Sequence, residues 1–242
     1  GLKQLSGVFY DRLWLGQWVQ AEGAVYSEYN SAIHCLDKTI LCPISGRYIV
    51  TVDFGFTNPF SCSLWRVHDN RMYQVNQIYA TNTIVEDHAK NIRQMLLDHG
   101  LAVQHIEAWI CDHDAEDRAT LERHLNITTK GAYKAITPGI NAVKVRLKNN
   151  TLFLKYNANY VYDSLLDKNY KPQCTADEIP AYVWSDKKQD MPVDQNNHGL
   201  DEMRYAVAYI DRIDKTIIKL NSETRIASYI NPRKAQEQRS FE

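Results

Sequence analysis

Three short stretches rich in β-branched and aromatic residues follow one another early in the chain. They cover Tyr48–Asp53, Phe60–Val67 and Met72–Tyr79. Such stretches favour the pleated, half-buried surface of a sheet and predict β-strands. Asp69-Asn70 stands between the second and third stretches as a two-residue turn signal. The pattern therefore predicts an antiparallel three-strand meander.

Helical and extended periodicities alternate in the rest of the chain. Helices are expected at Val85–His99, Asp114–Leu125, Pro138–Leu147, Asn159–Leu166 and from about His198, and strands at His105–Cys111, Gly131–Ala135 and Leu152–Leu154. This order matches a ribonuclease H-like α/β fold, a mixed central sheet of an antiparallel three-strand meander plus parallel strands, flanked by helices. In that arrangement the first and fourth strands lie side by side.

The predicted elements divide the chain into three parts. Residues 1–45 are interpreted as a linker-like N-terminal segment that packs on the core, 46–220 as the domain itself, and 221–242 as a polar C-terminal tail. Within the domain, residues 168–197 are polar and contain three prolines, which predicts a long irregular segment.

Carboxylates stand where predicted elements begin or end. Asp53 closes the first strand, Asp112 follows the fourth, and Asp201 lies in the first turn of the last helix, three residues after His198. Two hard divalent cations about 3.5–4 Å apart need oxygen ligands from several elements. We interpret Asp53, Asp112 and Asp201 as ligands of two Mg²⁺ or Mn²⁺ ions. His198 either joins this site or caps the helix.

Other polar residues near these carboxylates have simpler explanations. Asp114 is expected to cap the second helix, and Glu116 and Asp117 to interact with its dipole. Glu202 points about 100° away from Asp201 around the helix and is assigned to a second layer or the surface. His113 is expected to be a bystander.

Composition narrows the class of protein. The 242 residues carry a net charge of -1, which argues against a protein that coats nucleic acid by bulk charge but not against an enzyme with a local basic groove. No apolar run approaches the roughly 18 residues of a membrane span. The five cysteines form no C-x-x-C pair, so neither a zinc site nor a disulfide framework is expected, and a reducing cytosol is the simplest setting.

Basic residues downstream of Asp112 are candidates for contacts to a DNA backbone. They are Lys130, Lys134, Lys144, Arg146 and Lys148. An ordinary solvated face explains them nearly as well. No helix-turn-helix or zinc-finger signature accompanies them, so base-specific reading is not indicated.

The acidic motifs together resemble the C-terminal nuclease domain of tailed-bacteriophage terminase large subunits, over about residues 10–212. The matching pieces are Arg12-Leu-Trp-Leu-Gly16, Glu22-Gly-Ala-Val-Tyr26, Val52-Asp53-Phe-Gly55, Ile110-Cys-Asp112, Gly139-Ile-Asn-Ala-Val143 with Arg146-Leu147, and Pro192-Val193 through Asn197-His198-Gly-Leu-Asp201-Glu-Met-Arg204-Tyr205-Ala206. The last piece is the most specific.

The resemblance implies a metal-dependent endonuclease that cuts concatemeric viral double-stranded DNA during packaging. It assigns Asp53, Asp112 and Asp201 as metal ligands and His198 as a site histidine. It also implies a terminase small subunit and a portal protein as partners, and the host cell cytoplasm as the setting. The ATPase of this family carries a G-x-x-x-x-G-K-[ST] loop, which is absent from this sequence, so an isolated nuclease half is expected.

Two alternatives stay open. Another ribonuclease H-like nuclease, such as a junction resolvase or an RNA–DNA hybrid nuclease, would show its preference on four-way junctions or hybrids. A non-catalytic module that docks on the portal or the small subunit would leave DNA intact in the presence of Mn²⁺.

Overall fold

A seven-stranded mixed sheet forms the centre of the computed structural model, which describes residues 23–37, 46–186 and 191–211. Its strands are β1 Cys35–Leu36, β2 Arg47–Asp53, β3 Phe60–His68, β4 Arg71–Ala80, β5 Ile106–Cys111, β6 Thr129–Gly131 and β7 Leu152–Lys155. They lie side by side in the order β1-β7-β4-β3-β2-β5-β6. The expected ribonuclease H-like fold is confirmed.

Helices flank this sheet. They are α1 Ser31–His34, α2 Val85–Asp98, α3 Ala115–Leu125, α4 Ile136–Lys148, α5 Ser164–Lys168, α6 Thr175–Glu178 and α7, which is helical over 198–211. Asp114 caps α3 as expected, because its side chain accepts hydrogen bonds from the backbone N–H groups of Glu116 and Asp117. None of the helices among the described residues is long and apolar enough to cross a membrane.

The pairing of the strands confirms the expected neighbourhood of the first and fourth strands. β2, β3 and β4 form the antiparallel meander, and β2 pairs with β5 in parallel. β6 extends this parallel side, whereas β7 and β1 extend the sheet beyond β4. The carboxyl ends of β2 and β5 therefore lie at the same edge of the sheet.

The two faces of the sheet bury different hydrophobic clusters. Alternate residues of β2 point to opposite faces. Ile49 belongs to a cluster with residues of α4 and α7, such as Val143 and Leu200. Val50 belongs to another cluster with residues of α2 and α3, such as Met95. Thr51 and Asp53 share the face of Ile49, so they point toward α4 and α7.

Two predicted elements are displaced. The helix expected at Asn159–Leu166 begins only at Ser164, because the Asp163 side chain accepts from the first backbone N–H groups of the helix. The preceding residues pair with β4 instead, and the backbone N–H of Tyr160 donates to the carbonyl of Gln77 across 2.6 Å. The strand expected at Gly131–Ala135 lies earlier, at β6, where Thr129 pairs with Trp109.

The described parts of the segment 168–197, which are 168–186 and 191–197, contain more regular structure than their composition indicates. They contain α6 and a 3-10 turn at Ile179–Ala181, and both Glu178 and Tyr182 are buried. Part of the N-terminal segment also joins the core, through Tyr26 and the strand β1. Residues 1–22 with their predicted motif, and the predicted tail, lie outside the described residues.

Candidate functional site

Asp53 and Asp112 lie at neighbouring strand ends. Val52 of β2 is paired with Cys111 of β5, and the backbone N–H of Asp112 donates to the carbonyl of Val52 across 3.0 Å. Asp53 is only 7% exposed, whereas Asp112 is half-buried. The parallel pairing thus delivers two carboxylates that are 59 residues apart in sequence (112 − 53) to one edge of the sheet.

The first two turns of α7 bring further side chains to Asp53. Nδ1 of His198 lies 3.2 Å from Oδ2 of Asp53, and the hydroxyl of Tyr205 donates to Oδ1 of Asp53 across 3.1 Å. His198, Asp201 and Tyr205 follow one another at steps of three and four residues, so they share one face of the helix. The structure places Asp53, Asp112, Asp201 and His198 at the same end of the sheet.

Burial and neighbouring charges both act on Asp53. Burial is the largest influence and raises the pKa of Asp53; the hydrogen bond with His198 opposes this rise, and the charges of Asp201 and Asp112 add to it. Burial also raises the pKa of Tyr205, and the charges of Asp53, Asp201 and Asp112 raise it further. Asp112 and Asp201 are therefore both within electrostatic reach of Asp53.

Two cations balance this negative charge. Nζ of Lys134 lies 2.5 Å from Oδ1 of Asp112, and Nη2 of Arg204 lies 2.6 Å from Oδ1 of Asp201. The Arg204 guanidinium is buried and also donates to the backbone carbonyl of Lys134 across 3.2 Å. A Cβ at Gly139 would lie 2.6 Å from Cγ of Arg204, so the absence of a side chain there lets Arg204 reach this position.

The donor set suits a hard divalent cation. Asp53, Asp112 and Asp201 offer carboxylate oxygens, the ligands that Mg²⁺ and Mn²⁺ prefer. As it stands, no group of three His, Cys, Asp or Glu side chains within the described ranges is arranged to hold a metal ion. Lys134 and Arg204 already engage Asp112 and Asp201. Each of these ion pairs engages one carboxylate oxygen, Oδ1, and its positive charge competes electrostatically with a bound metal ion.

Glu202 lies beneath the site rather than on the surface. Its side chain is fully buried, and Oε1 accepts hydrogen bonds from Nε1 of Trp65 across 2.8 Å and from the Thr51 hydroxyl. Burial raises the pKa of Glu202 to about 8, so the neutral acid is favoured at neutral pH. Glu202 therefore joins α7 to β2 and β3 directly below Asp53. Helical periodicity alone does not predict the burial of Glu202, because it does not show which elements pack on the side of α7 that carries Glu202.

A second buried acid holds the beginning of α7. Oε2 of Glu178 accepts from the backbone N–H of Leu200 across 2.8 Å, and Oε1 accepts from the Tyr79 hydroxyl across 2.5 Å and from the Gly199 N–H across 3.2 Å. These N–H groups lie in the first turn of a helix, where they have no intrahelical partner. A Cβ at Gly199 would clash with Oγ1 of Thr175, so α7 and α6 approach closely here. Glu178 thus fixes the turn that presents His198.

Glu178 and Tyr205 were not predicted from the sequence as residues of the site, and Glu202 was assigned only to a second layer or the surface. A usable signal existed for Tyr205, which is seven residues after His198 and therefore on the same face of the helix. Glu178 lies in the segment predicted to be irregular, and its contact with α7 is purely tertiary.

The five basic residues proposed for DNA do not form one surface. Lys134 is at the carboxylate site, and Nζ of Lys130 lies 3.0 Å from the hydroxyl of Tyr209. Lys144 forms an ion pair with Glu28 at 3.5 Å. The remaining two residues, Arg146 and Lys148, lie near the end of α4.

Arg146 does not fit the expected contact to DNA. It is 4% exposed, and its guanidinium donates to the backbone carbonyl of Asn70 across 2.9 Å and to Asp211 across 2.8 Å. Asn70 belongs to the turn between β3 and β4, at the opposite end of the sheet from Asp53. Arg146 therefore has a structural role in joining α4, α7 and this turn.

Comparison with solved structures supports the resemblance stated from the motifs. A large terminase from a thermophilic bacteriophage matches 86% of this chain at 26% identity with a TM-score of 0.64, and 49% of the terminase chain is covered. The same protein in complex with ATP-gamma-S matches 85% of this chain at 25% identity with a TM-score of 0.62. This chain therefore spans about half the length of that large terminase. No protein-family model and no curated protein matches the chain.

Isolated nuclease domains share the fold at lower identity. The P22 large terminase nuclease domain is 12% identical with a TM-score of 0.60, and the match covers 81% of this chain and 94% of that domain. The large terminase nuclease from thermophilic phage G20c with bound magnesium is 11% identical with a TM-score of 0.53, over 78% and 98% of the two chains. The chain is therefore a structural relative of the phage large terminases and shares the fold of their nuclease domains.

Proposed function

We propose that the chain is the divalent-metal-dependent endonuclease domain of a DNA-packaging terminase. It cuts concatemeric double-stranded DNA by two-metal hydrolysis of a phosphodiester. The observation that supports this proposal is the parallel pairing of β2 and β5, which brings Asp53 and Asp112 together, while α7 adds Asp201 near enough for its charge to raise the pKa of Asp53. The likeness to a large terminase at 25–26% identity supports the same function.

Each side chain of the site has a task in this proposal. Asp53, Asp112 and Asp201 hold the divalent ions, which supply acidification of water and neutralisation of charge at the scissile phosphate. Tyr205 and His198 contact the two oxygens of Asp53 separately, so they fix the orientation of its carboxylate. A carboxylate held in this way loses little conformational freedom when it binds a metal ion.

Isosteric substitution of a candidate ligand provides the test. Wild-type protein is incubated with linear duplex DNA and Mn²⁺, beside Asp53→Asn, Asp201→Asn and the control Asp69→Asn. Both site variants are expected to cut at least about a hundredfold more slowly. Asp69 is exposed, lies in the β3–β4 turn and has a φ of 46°, which asparagine tolerates, so this control should cut at the wild-type rate.

The same assay separates the alternatives. Cleavage confined to four-way junctions or to RNA–DNA hybrids would replace the terminase function by that of another ribonuclease H-like nuclease. Wild-type protein that leaves all substrates intact, with no Mn²⁺ bound in a calorimetric titration, would favour a non-catalytic docking module.

The proposed function also implies partners. A terminase small subunit, a portal protein and an ATPase domain are the expected ones, and each belongs to the proposal. The solved large terminases of which this chain covers about half the length include complexes with ATP-gamma-S and with ADP.

A further inference from the structure

A cavity of about 690 Å³ opens beside His198. Its walls come from the loop after β2, the end of β4, α5 with the residues that follow it, and the loop before α7. Tyr79 and Thr81 contribute from β4 and its end, and Leu166 contributes from α5. Its volume lies in the range of about 300–1,000 Å³ that is typical of ligand sites.

The lining of this cavity is rich in side-chain amides. These are Asn58, Asn82, Asn169, Gln195, Asn196 and Asn197. Among the described residues, its charged members are Lys171 and Asp194, whose opposite charges offset each other. The cavity thus offers many neutral hydrogen-bond donors and acceptors but little net positive charge.

Backbone geometry or local hydrogen bonds account for four of the six amides. Asn82 and Asn196 have φ values of 51° and 49°, a conformation that asparagine tolerates well. The Asn169 amide donates to the carbonyl of Leu165, and the Asn197 amide faces Asp194 at 3.4 Å. No ligand is needed to explain these four side chains.

Asn58 and Gln195 have no such explanation. Both are exposed, both line the cavity, and neither forms a side-chain hydrogen bond with any other residue that the structure describes. They face the cavity from different walls, the loop before β3 and the loop before α7. Their hydrogen-bonding groups are therefore available to a ligand.

The order of strands shows how the cavity is placed relative to the carboxylates. The start of β3 and the end of β4 lie at the same sheet end as Asp53, on the side away from β5. Lys134 lies on the other side, after β6. A polymer crossing Asp53 and Asp112 thus meets Lys134 on one flank, and on the other a lining rich in amides in which Lys171 and Asp194 offset each other.

The chemistry of the cavity lining indicates whether it binds the phosphate or the base of a nucleotide. A phosphate is held in proteins chiefly by cations or by clusters of backbone N–H groups. A nucleobase edge instead presents alternating donors and acceptors, which Asn and Gln side chains match. We propose that the cavity receives an unpaired nucleobase of the DNA strand that is cut, next to the scissile phosphate. This inference rests on the proposed function, and it requires that the base leave the duplex stack.

Comparing the affinities of two oligonucleotides tests directly whether the protein binds a base. A fluorescently labelled single-stranded thymidine dodecamer is compared with a dodecamer of equal charge whose central residues are abasic, in EDTA at low salt. Fluorescence anisotropy is expected to show about tenfold tighter binding of the base-containing strand. Equal affinity for both strands, or no binding of either, would overturn the proposal.

Substitutions test whether the cavity is responsible for the preference for the base-containing strand. In the double variant Asn58→Ala/Gln195→Ala, affinity for the base-containing strand should fall to that for the abasic strand. Gln104→Ala is the matched control, because Gln104 is exposed and lies before β5, at the opposite end of the sheet. The proposal is wrong if the double variant, shown by thermal unfolding to be folded, keeps the wild-type preference.

Cleavage separates this inference from the proposed function. If the wild type prefers the base-containing strand but does not cut duplex DNA with Mn²⁺, the nuclease function fails and the base site stands. If it cuts duplex DNA without the preference, only the base site fails. If both hold, the double variant should raise KM several-fold while kcat changes less, because the ligands of the reacting phosphate are intact.

Discussion

At the scale of single residues, Lys134 and Arg204 offset part of the negative charge of the carboxylates in the candidate site. Each lies within 2.6 Å of one carboxylate, but Arg204 is buried whereas the Lys134 side chain is 45% exposed. An exposed ion pair contributes up to about 1 kcal/mol. Lys134 is thus the cation that a metal ion displaces most easily.

Removal of Lys134 should strengthen binding of a metal ion. In Lys134→Ala, Asp112 loses the cation that competes for its oxygen, so Mn²⁺ affinity measured by calorimetry is expected to rise by up to about fivefold. Lys90→Ala is the control, because Lys90 also forms an exposed pair, 2.7 Å from Asp87, but lies on α2. Weaker Mn²⁺ binding in Lys134→Ala would contradict the competition.

His88 links stability to pH at the same scale. It is fully buried on α2 and stacks on Phe60 with ring centroids 3.8 Å apart. Burial lowers the pKa of His88 to about 4, although Asp87 and the backbone of Thr83 oppose the shift. The ring is therefore neutral in the folded protein at neutral pH, whereas the unfolded chain binds a proton there below about pH 6.5.

Stability should therefore fall as pH decreases from about 6.5 to 4. Over this range the unfolded state takes up the proton that folded His88 does not bind, and on the order of 2–3 kcal/mol is lost. Urea unfolding of the wild type and of His88→Leu at pH 7 and pH 4.5 measures this part as the difference between the two. The exposed His68→Gln should behave like the wild type. Equal losses in the wild type and His88→Leu would refute the assignment.

At the scale of elements, α7 depends on a capping residue from another helix. Glu178 belongs to α6, yet its carboxylate accepts from the Gly199 and Leu200 N–H groups. The side chains at the start of α7 include His198, which contacts Asp53. The position of a candidate catalytic residue thus depends on a buried acid that lies twenty residues earlier (198 − 178).

Loss of the Glu178 carboxylate should destabilise the protein. In Glu178→Ala, Tyr79 and two backbone N–H groups lose their acceptor, which is expected to cost about 2–4 kcal/mol in urea unfolding. Glu178→Gln keeps one acceptor oxygen and should cost about 1 kcal/mol. Asp186→Asn, at an exposed acid of the same segment, should change little. If Glu178→Ala unfolds at the wild-type urea concentration, the capping contact contributes nothing.

At the scale of the whole molecule, there is little net positive charge for a protein that is proposed to act on DNA. The net charge is -1, and the five basic candidates are divided between two ends of the sheet. Binding to DNA is therefore expected to involve few phosphates, and each neutralised phosphate contributes about 0.9 to the slope of log affinity against log salt.

The salt dependence of duplex binding can identify which lysines take part. Lys130→Ala should reduce the slope by about 0.9, because Lys130 lies on β6 beside β5, the parallel strand that Asp112 follows. Lys148→Ala should leave the slope unchanged, because Lys148 follows Arg146 at the far end of α4. The reverse result in filter-binding measurements would place DNA on the α4 end instead.

The sequence was sufficient where a signal is local. The meander, α2 and the Asp114 cap are predicted, because hydrophobic periodicity and turn residues act over a few neighbours. The parallel β2–β5 pair follows instead from the order of the elements along the chain, which matches a known fold. The apolar pattern does not reveal Asp163 as a cap, so it predicts the start of α5 too early. The residues before Asp163 also have an apolar pattern, but they are not helical because their backbone groups form hydrogen bonds with β4.

What the sequence by itself determined was the set of chemical groups and their order along the chain: Asp53, Asp112, His198 and Asp201 at the ends of elements. Only the tertiary structure decided which other side chains contact these groups. Burial of Glu178 and Glu202, the hydrogen bond of Tyr205 and the distant location of Arg146 all depend on contacts between residues far apart in sequence. Such contacts depend on which neighbouring element packs on each face of a helix or strand. Periodicity defines the faces, but packing in three dimensions selects their partners.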